Sequence, residues 1–324
     1  MRRVLVTGGS GFLGSNAVRA LAAHPDVSLV VSGDVRPPAG AVPDGVVVEA
    51  CDVTDAAAVA SVVQQHDIDT VVHLAAIVNP GGLSEELERR VDVDGTRNVL
   101  EAAVAGGVTR IVVSSSGAAY GYHPDNPDWL TEDDPIRGNE EFSYSRHKRL
   151  VEEMLAGYRA EHPELGQVVL RIGTILGPTV ANQITALWDG PRILRVAGSE
   201  SPFVFVWVDD VVGAIVRGAT GDVTGAFNVA GDGRVTVTEI AEALGKRTVT
   251  VPPGVLAAAL RAGRALKLTV HGPERVGFLR YRPVLDNTRL KRELGYTPGK
   301  TSREAFDAYL AARATARAAS PAAS

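Results

Sequence analysis

The sequence has a single cysteine, Cys51, among 324 residues, and this scarcity excludes several kinds of site. One cysteine cannot form an intrachain disulfide or a zinc site built from several thiolates, so we expect a protein of the reducing cytoplasm. The seven histidines show no metal-ligand spacing such as His-Glu-x-x-His. We therefore expect no metal site.

Long apolar runs and an excess of positive charge are also lacking. No segment approaches the roughly 18 uninterrupted apolar residues of a membrane-spanning helix. The 33 basic and 38 acidic residues give a formal net charge of −5, so no global positive field exists to hold a nucleic-acid backbone. The sequence predicts neither an integral membrane segment nor a nucleic-acid partner.

Hydrophobic residues make up 45% of the chain, enough for a substantial core, and their pattern alternates in the first half. Short β-branched runs and longer helical patterns follow one another, which is typical of a doubly wound parallel α/β sheet. Predicted strands lie at 4–7, 28–32, 46–49, 70–73, 111–114 and 167–172, and predicted helices at 13–23, 56–65, 90–105 and 144–161. Segment 203–217 is predicted to return a further strand and helix to this sheet.

A glycine-rich turn follows the first predicted strand and leads directly into a helical pattern. Gly8, Gly11 and Gly14 lie three positions apart, and Gly9, Gly11 and Gly14 also satisfy the Gly-x-Gly-x-x-Gly spacing. Glycines allow a tight turn and an unobstructed backbone beside a pyrophosphate, while the helix N-terminus faces the phosphate charge. The turn predicts a dinucleotide site.

An acidic residue selects the form of that dinucleotide. Asp34 lies 20 residues beyond Gly14, at the end of the predicted second strand. There a carboxylate accepts hydrogen bonds from both adenosine ribose hydroxyls and repels a 2′-phosphate. The sequence therefore predicts NAD rather than NADP, although Arg36 is placed to accommodate a phosphate.

Tyr144 and Lys148 lie four positions apart and share one face of a predicted helix. A free tyrosine has a pKa near 10, but a nearby ammonium favours phenolate and lowers that value, so the pair can exchange a proton with an alcohol. Upstream, Ser116 ends a predicted strand, and in a parallel sheet that end faces the cofactor crevice.

Together these motifs resemble the extended short-chain dehydrogenase/reductase family, also called the NAD-dependent epimerase/dehydratase family. The resemblance covers nearly the whole chain, with further matches at Cys51-Asp52-Val53, His73-Leu74-Ala75-Ala76, 95–100, Arg171 with Gly177-Pro178, 208–211, Phe227-Asn228-Val229 and 294–298. It implies a Rossmann-type doubly wound parallel sheet with a smaller C-terminal α/β substrate lobe. The implied cofactor domain covers 1–172 and 203–228, and the lobe covers 173–202 and 229–324.

By the same resemblance, Tyr144 is the general acid/base, Lys148 binds the nicotinamide ribose and tunes Tyr144, and Ser116 hydrogen-bonds the reacting oxygen. The implied cofactor contacts are Gly8, Gly11, Phe12, Leu13, Gly14, Asp34, Asp52, Val53, Leu74, Ala75, Ala76, Tyr144 and Lys148. Thr174, Arg280 and Ser116 are the candidate substrate contacts. The family also implies a homodimer through the helices beginning near Arg90 and Tyr144.

Three departures from the family pattern narrow the chemistry. Asp92 stands where the family usually has Asn, and it either alters the network that feeds protons to the lysine or caps a helix. Gly117 and Ala118 stand where sugar-nucleotide dehydratases carry an Asp-Glu pair, which disfavours elimination of water. Thr174 replaces the Asn with which epimerases commonly contact the diphosphate.

We predict an NAD(H)-dependent oxidoreductase that interconverts a secondary alcohol and a ketone on a small molecule. Two alternatives stay open: a nucleotide-sugar epimerase resembling UDP-glucose 4-epimerase with retained NAD, and a non-catalytic NAD-binding sensor or scaffold. Segment 255–270 has Arg261, Arg264 and Lys267 at three-residue steps, which predicts a basic amphipathic helix. Such a helix suits a membrane surface, an anionic substrate mouth or a solvated outer face.

Overall fold

The computed structural model describes residues 1–78, 82–180, 182, 184–269 and 272–319. The strands are β1 Arg2–Thr7, β2 Val27–Asp34, β3 Val46–Ala50, β4 Thr70–His73, β5 Arg110–Ser116, β6 Gly166–Ile172, β7 Thr174–Leu176, β8 Arg192–Val196, β9 Phe205–Trp207, β10 Gly225–Val229 and β11 Arg247–Val251. The helices are α1 Phe12–Ala22, α2 Ala56–Gln65, α3 Glu85–Arg89, α4 Gly95–Ala105, α5 Ser143–Glu161, α6 Val208–Thr220, α7 Val237–Ala243, α8 Pro253–Ala265, α9 Arg275–Arg280 and α10 Ser302–Ala319.

Seven strands form one parallel sheet in the order β10-β6-β5-β4-β1-β2-β3. The chain winds outward in one direction from β1 through β3 and in the other from β4 onward. Adjacent β1 and β4 therefore form the switch point, where Thr7 pairs in register with His73. In such sheets the crevice beyond the carboxyl ends of these strands binds ligands. The predicted Rossmann-type sheet is confirmed.

Helices cover both faces of the sheet, so the central strands are apolar throughout rather than alternating. Val4 and Val6 of β1 pack toward α1 and α6. Leu5 between them packs toward α2, α4 and α5, because successive strand residues point to opposite faces. The two hydrophobic cores, one on each face of the sheet, hold the strand ends at the crevice in place.

The C-terminal lobe has its own small core and two short parallel strand pairs, β8 with β11 and β7 with β9. Its centre is aromatic: the Trp188 ring meets Phe205 and Phe306 edge-on at centroid distances of 5.7 and 5.4 Å. Asp210 of α6 accepts hydrogen bonds from the Tyr296 hydroxyl and the Gly299 amide, which fastens the segment before α10 to a helix that packs on the main sheet.

Three sequence predictions are corrected. The strand in segment 203–217 does not return to the main sheet, because β9 pairs with β7, and the seventh strand is β10. The predicted helix at 90–105 starts earlier: α3 runs through a π-helical turn, Arg90–Asp94, into α4. The basic helix predicted at 255–270 ends as α8 at Ala265, and residue 270 lies outside the described residues.

No residue of α8 is buried, so the helix lies on the outer surface of the lobe. Within the part of the chain that the structure describes, no helix is both long enough and apolar enough to cross a membrane.

Candidate active site

The glycine turn lies at the switch point of the sheet, between β1 and α1. Gly8 has a φ of +70°, and a Cβ atom there would lie 2.8 Å from the backbone nitrogen of Ala75. Gly14 is equally constrained, since its Cβ would lie 2.0 Å from the Gly8 carbonyl oxygen. The turn therefore requires glycine at both positions, and it brings the backbone of residues 74–75 against the loop.

The N-terminus of α1 has no side-chain cap. Gly11 is the N-cap residue and makes no capping hydrogen bond with a side chain. The first amides of α1, including those of Phe12 and Leu13, therefore remain available to an anion such as a pyrophosphate, in the direction that the helix dipole favours.

Asp34 ends β2 directly beside this turn. One carboxylate oxygen accepts a hydrogen bond from the Ser10 amide at 3.1 Å, and the other accepts one from the Arg36 amide at 3.1 Å. Arg36 is exposed, and its carbonyl receives the Ser10 hydroxyl at 2.8 Å. The carboxylate lies where a ribose would follow a pyrophosphate held on the turn, so these residues fit NAD.

Asp52 and Val53 follow β3 and differ in burial. Asp52 is exposed, and one of its carboxylate oxygens accepts hydrogen bonds from the Thr54 amide and hydroxyl, both at 2.9 Å. Val53 is buried against Gly95, and its carbonyl receives the Asn98 side-chain amide at 2.8 Å. Leu74, Ala75 and Ala76 continue from β4 beside the glycine turn, where the Leu74 amide donates to the Thr7 carbonyl.

Tyr144 and Lys148 occupy the first turns of α5. The Lys148 Nζ lies 5.8 Å from the centroid of the Tyr144 ring and donates to the Ser114 carbonyl at 2.9 Å. Lys148 is only 6% exposed, so its ammonium is largely withdrawn from solvent. The predicted helix-face pairing is thus present, and the lysine is tied to the end of β5.

Ser116 ends β5 and starts a 3₁₀ turn, Gly117–Tyr120. Its Oγ accepts the Ala118 amide at 3.1 Å, which leaves the hydroxyl proton able to donate to a ligand. The buried Ser145 hydroxyl donates to the Ala118 carbonyl at 2.6 Å, joining α5 to the same turn. The structure therefore brings the elements that hold Ser116, Tyr144 and Lys148 to one edge of the sheet.

His73 connects Thr7, at the end of β1, to Thr96 of α4. Thr96 gives its only hydroxyl proton to the Asp92 carbonyl at 2.6 Å, so it must accept from His73 Nε2 at 3.0 Å. His73 Nδ1 then accepts the Thr7 hydroxyl at 2.7 Å. Burial, followed by the charge of Lys148, lowers the pKa of His73 to about 4, against a smaller opposing effect of Asp92. His73 is therefore neutral at physiological pH.

Asp92 does not cap a helix, which corrects one of the two sequence interpretations. It lies inside the π-helical turn, and its Oδ1 accepts the Ile77 amide at 2.8 Å. Its Oδ2 lies 3.3 Å from Nδ1 of His147, a residue of α5 to which the sequence analysis gave no role. A histidine within the Tyr-x-x-x-Lys segment was the only signal that could have pointed to it.

Aromatic rings and two arginines border Tyr144 on the side of the lobe. The Phe142 ring lies 6.5 Å from Tyr144 and 6.0 Å from Phe278, which in turn meets Tyr122 edge-on at 5.2 Å. We call Tyr122, Phe142, Phe278, Arg275 and Arg282 the aromatic–arginine wall. Arg275 lies over Phe142 at 5.5 Å, and Arg282 lies over Phe278 at 5.1 Å.

Arg282 contacts uncharged groups, since its guanidinium lies over the Phe203 ring at 3.8 Å and donates to Ser201. Burial lowers its pKa to about 9, partly offset by Tyr122, and its Nε is sealed from solvent without a hydrogen-bond partner. Its Nη1 donates to the Ser201 carbonyl at 2.8 Å. Among the described residues no carboxylate forms an ion pair with it. An anion supplied by a ligand would satisfy this site.

The candidate substrate residues Arg280 and Thr174 make local contacts with neighbouring residues. The Arg280 guanidinium stacks on Tyr281 at 4.7 Å, and its carbonyl receives the Ser199 hydroxyl. Thr174 begins β7, with its amide bonded to the Val204 carbonyl at 3.0 Å. Their roles in substrate binding stay predictions, and the aromatic–arginine wall emerges only from the structure.

A buried ion pair supports the end of β5 from below. Arg171 donates to Glu152 at 2.7 Å, and both side chains are under 10% exposed. Glu152 also accepts the Ser115 hydroxyl at 2.5 Å, and Arg171 donates to the Tyr120 hydroxyl at 2.8 Å. Burial would lower the pKa of Arg171, but the hydrogen bonds and charge of Glu152 raise it overall. No cluster of metal-ligating side chains occurs in the described ranges.

Known proteins resemble this chain in both sequence and fold. The family model described as "NAD dependent epimerase/dehydratase family" matches residues 4–230. An uncharacterised protein of Mycobacterium tuberculosis is 28% identical over 316 residues, covering 96% of this chain and 84% of its own. A dTDP-glucose 4,6-dehydratase of Streptomyces griseus is 31% identical over 319 residues, covering 91% and 89%. The structure of MoeE5 in complex with UDP-glucuronic acid and NAD matches with a TM-score of 0.72 and 26% identity, covering 97% and 99%.

Proposed function

Since the chain belongs to the NAD-dependent epimerase/dehydratase family, we propose that it is an NAD(H)-dependent oxidoreductase interconverting a secondary alcohol and a ketone on a small-molecule substrate. The observation that supports this proposal is the buried Lys148 ammonium, 5.8 Å from the Tyr144 ring, at the strand edge beside an uncapped glycine turn. That arrangement provides a proton-transfer group next to a dinucleotide site.

The residues of this chain would manage the proton. Bound NAD supplies the acceptor for the hydride that leaves the carbinol carbon. Tyr144, as the general base, takes the hydroxyl proton of the alcohol, and Ser116 donates a hydrogen bond to the same oxygen. In the reverse direction, Tyr144 returns a proton to the oxygen of the ketone as that carbon receives hydride.

The cofactor would be NAD rather than NADP. Asp34 presents its carboxylate beside the turn and would accept both ribose hydroxyls, exchanging its bond to the Ser10 amide for them. Asp52 and Val53 would lie at the adenine end, and Ala75 and Ala76 along the opposite side of the turn. Titration of the unmodified chain and of Asp34→Ala with NAD and with NADP tests this preference. The unmodified chain should bind NAD at least about tenfold more tightly than NADP, and Asp34→Ala should lose this difference.

The substrate would present an apolar face to Phe142 and Phe278 and an anionic group to Arg282. A neutral substrate would leave the half-buried Arg282 cation without an anion beside it. Paired substrates that differ only in a carboxylate or phosphate test this: Arg282→Gln should raise the KM of the anionic member alone. A wild-type preference for the neutral member would contradict the assignment.

The test of the reaction is a panel of secondary alcohols, ketones, and UDP- and GDP-sugars, followed by NADH absorbance and product stereochemistry. Tyr144→Phe should lower kcat by roughly 100- to 10,000-fold, because the proton-transfer group is lost, while NAD still binds. Equal kcat in Tyr144→Phe would refute the role of Tyr144 and would favour the alternative of an NAD-binding sensor or scaffold.

A nucleotide-sugar epimerase is the second candidate, and the Arg282 cation is the observation that favours it, since a diphosphate is also anionic. Cofactor retained through purification, with interconversion of sugars without added NAD, would support it over net oxidation. A dehydratase is not proposed, because Gly117 and Ala118 supply no acid or base for elimination.

We also propose a cytoplasmic homodimer. The α4–α5 face has a cavity of about 480 Å³, lined by Val93, Leu150, Met154 and Tyr158 together with the charged residues Arg97, Glu153 and Glu161, and a second copy would fill it. Light scattering at micromolar concentration should give twice the chain mass, and Met154→Glu should give the monomer mass. A monomer in the unmodified protein would refute the dimer.

A further inference from the structure

Asp92 and His147 form a buried contact between the π-helical turn and α5, the helix that also holds Tyr144 and Lys148. Asp92 is 4% exposed and belongs to the π-helical turn, while His147 is 1% exposed and belongs to α5. Asp92 Oδ2 lies 3.3 Å from His147 Nδ1, and Oδ1 accepts the Ile77 amide at 2.8 Å. One carboxylate thus joins the loop after β4 to α5.

The contact dictates where the His147 proton lies. A carboxylate only accepts hydrogen bonds, so Nδ1 must be the protonated nitrogen. Nε2 is sealed from solvent and has no hydrogen-bond partner among the described residues. Without a proton, Nε2 is a buried acceptor that has no hydrogen-bond partner among the described residues. With a proton, it would be a buried donor without a partner, and Nδ1 would have no proton to donate to Asp92. Asp92 therefore selects the Nδ1–H tautomer.

Asp92 also brings negative charge toward a buried ammonium. Lys148 donates to a carbonyl, and in the described part of the chain no carboxylate forms an ion pair with it. His73 lies within the influence of both charges, because Lys148 lowers its pKa and Asp92 raises it. The carboxylate and the ammonium therefore face the same small polar interior.

We propose that Asp92 and His147 are positioning residues for Tyr144 and Lys148. Their contact holds α5 against the loop that follows β4, and the carboxylate offsets the buried ammonium that acts on Tyr144. This inference rests on the proposed function for its kinetic consequences, but not for its geometry.

Removing the charge has a predictable sign. The titratable and charged groups packed around Tyr144 and Lys148 are Glu88, His73, Asp92, Tyr122, Arg275 and Arg282. Asp92→Asn keeps the shape and the bond from Ile77, but it deletes the negative charge. Removing a negative charge near the proton-transfer group should move the acidic limb of the alcohol-oxidation pH profile to lower pH.

The first measurement is the ¹⁵N NMR signature of the imidazole ring in the full-length, NAD-loaded chain. Wild-type protein should show Nδ1–H at His147. In Asp92→Asn the amide that donates to His147 Nδ1 forces the proton to Nε2. Nε2–H in the unmodified protein would overturn the inference, whether or not any substrate is turned over.

The second measurement is the pH profile of kcat and KM. Asp94→Asn, two positions away at an exposed carboxylate, is the matched control and should leave the profile unchanged. His147→Asn keeps a donor near the Nδ1 position and should retain kcat within about threefold, whereas His147→Leu should lose at least tenfold in kcat with little change in NAD affinity. Wild-type kcat and profile in both Asp92→Asn and His147→Leu would overturn the inference. If no alcohol is oxidised, the proposed function fails. The NMR measurement of the His147 tautomer then still tests the contact between Asp92 and His147.

Discussion

Acidification should destabilise this protein through His73, and the size of the effect follows from its environment. The unfolded chain titrates this imidazole near its ordinary pKa of 6.5, whereas burial and Lys148 lower the pKa in the folded chain to about 4. At pH 7 the imidazole is mostly neutral in both forms, so His73 changes the free energy of unfolding only slightly. As the pH falls through 6.5, the unfolded chain binds a proton that the folded chain refuses, so the free energy of unfolding decreases until the pH reaches about 4.

Between pH 7 and pH 5 this difference amounts to about 2 kcal/mol. Urea unfolding at the two pH values measures the loss. The control is His73→Gln, whose amide does not titrate but can still bond Thr96. The variant should be less stable at pH 7 and should lose about 2 kcal/mol less than the unmodified chain on acidification. Equal losses in both proteins would refute the assignment of a buried neutral histidine.

Three further predictions test the turn, the buried ion pair and the cysteine. Gly14→Ala should destabilise the fold by about 1–3 kcal/mol and weaken NAD binding, because the added Cβ would meet the Gly8 backbone. The control Gly254→Ala should have neither effect, because its Cβ would meet nothing within 4 Å. Calorimetry measures the stability of each variant, and titration measures its affinity for NAD. Glu152→Gln should lower the free energy of unfolding in urea by about 3–5 kcal/mol, because it leaves Arg171 buried without a carboxylate. Asp307→Asn, at a half-exposed ion pair, should lower it by less than about 0.5 kcal/mol. Similar losses in the two variants would contradict the role of burial. Burial and Asp52 raise the pKa of Cys51 to about 11, so a thiol reagent at pH 8 should modify it only after unfolding; rapid reaction of folded protein would disprove this.

Local patterns predicted the elements that hold the site. The β-branched runs, the glycine spacing and the Tyr-x-x-x-Lys spacing depend on residues a few positions apart, and the structure has a strand, a turn and a helix at each. The errors were also informative. The strand near residue 205 has the composition of a sheet strand, but its partner, β7, is chosen by packing in the lobe and not by its own sequence.

By itself, the sequence determined the cofactor turn, the acidic residue after it and the helix with Tyr144 and Lys148, because backbone sterics and helical periodicity act within one or two turns of chain. Only the tertiary structure decided which charges meet out of water. Asp92 and His147 are 55 positions apart, and Arg171 and Glu152 belong to different elements. Burial makes such contacts decisive, and burial depends on how whole helices pack on the sheet.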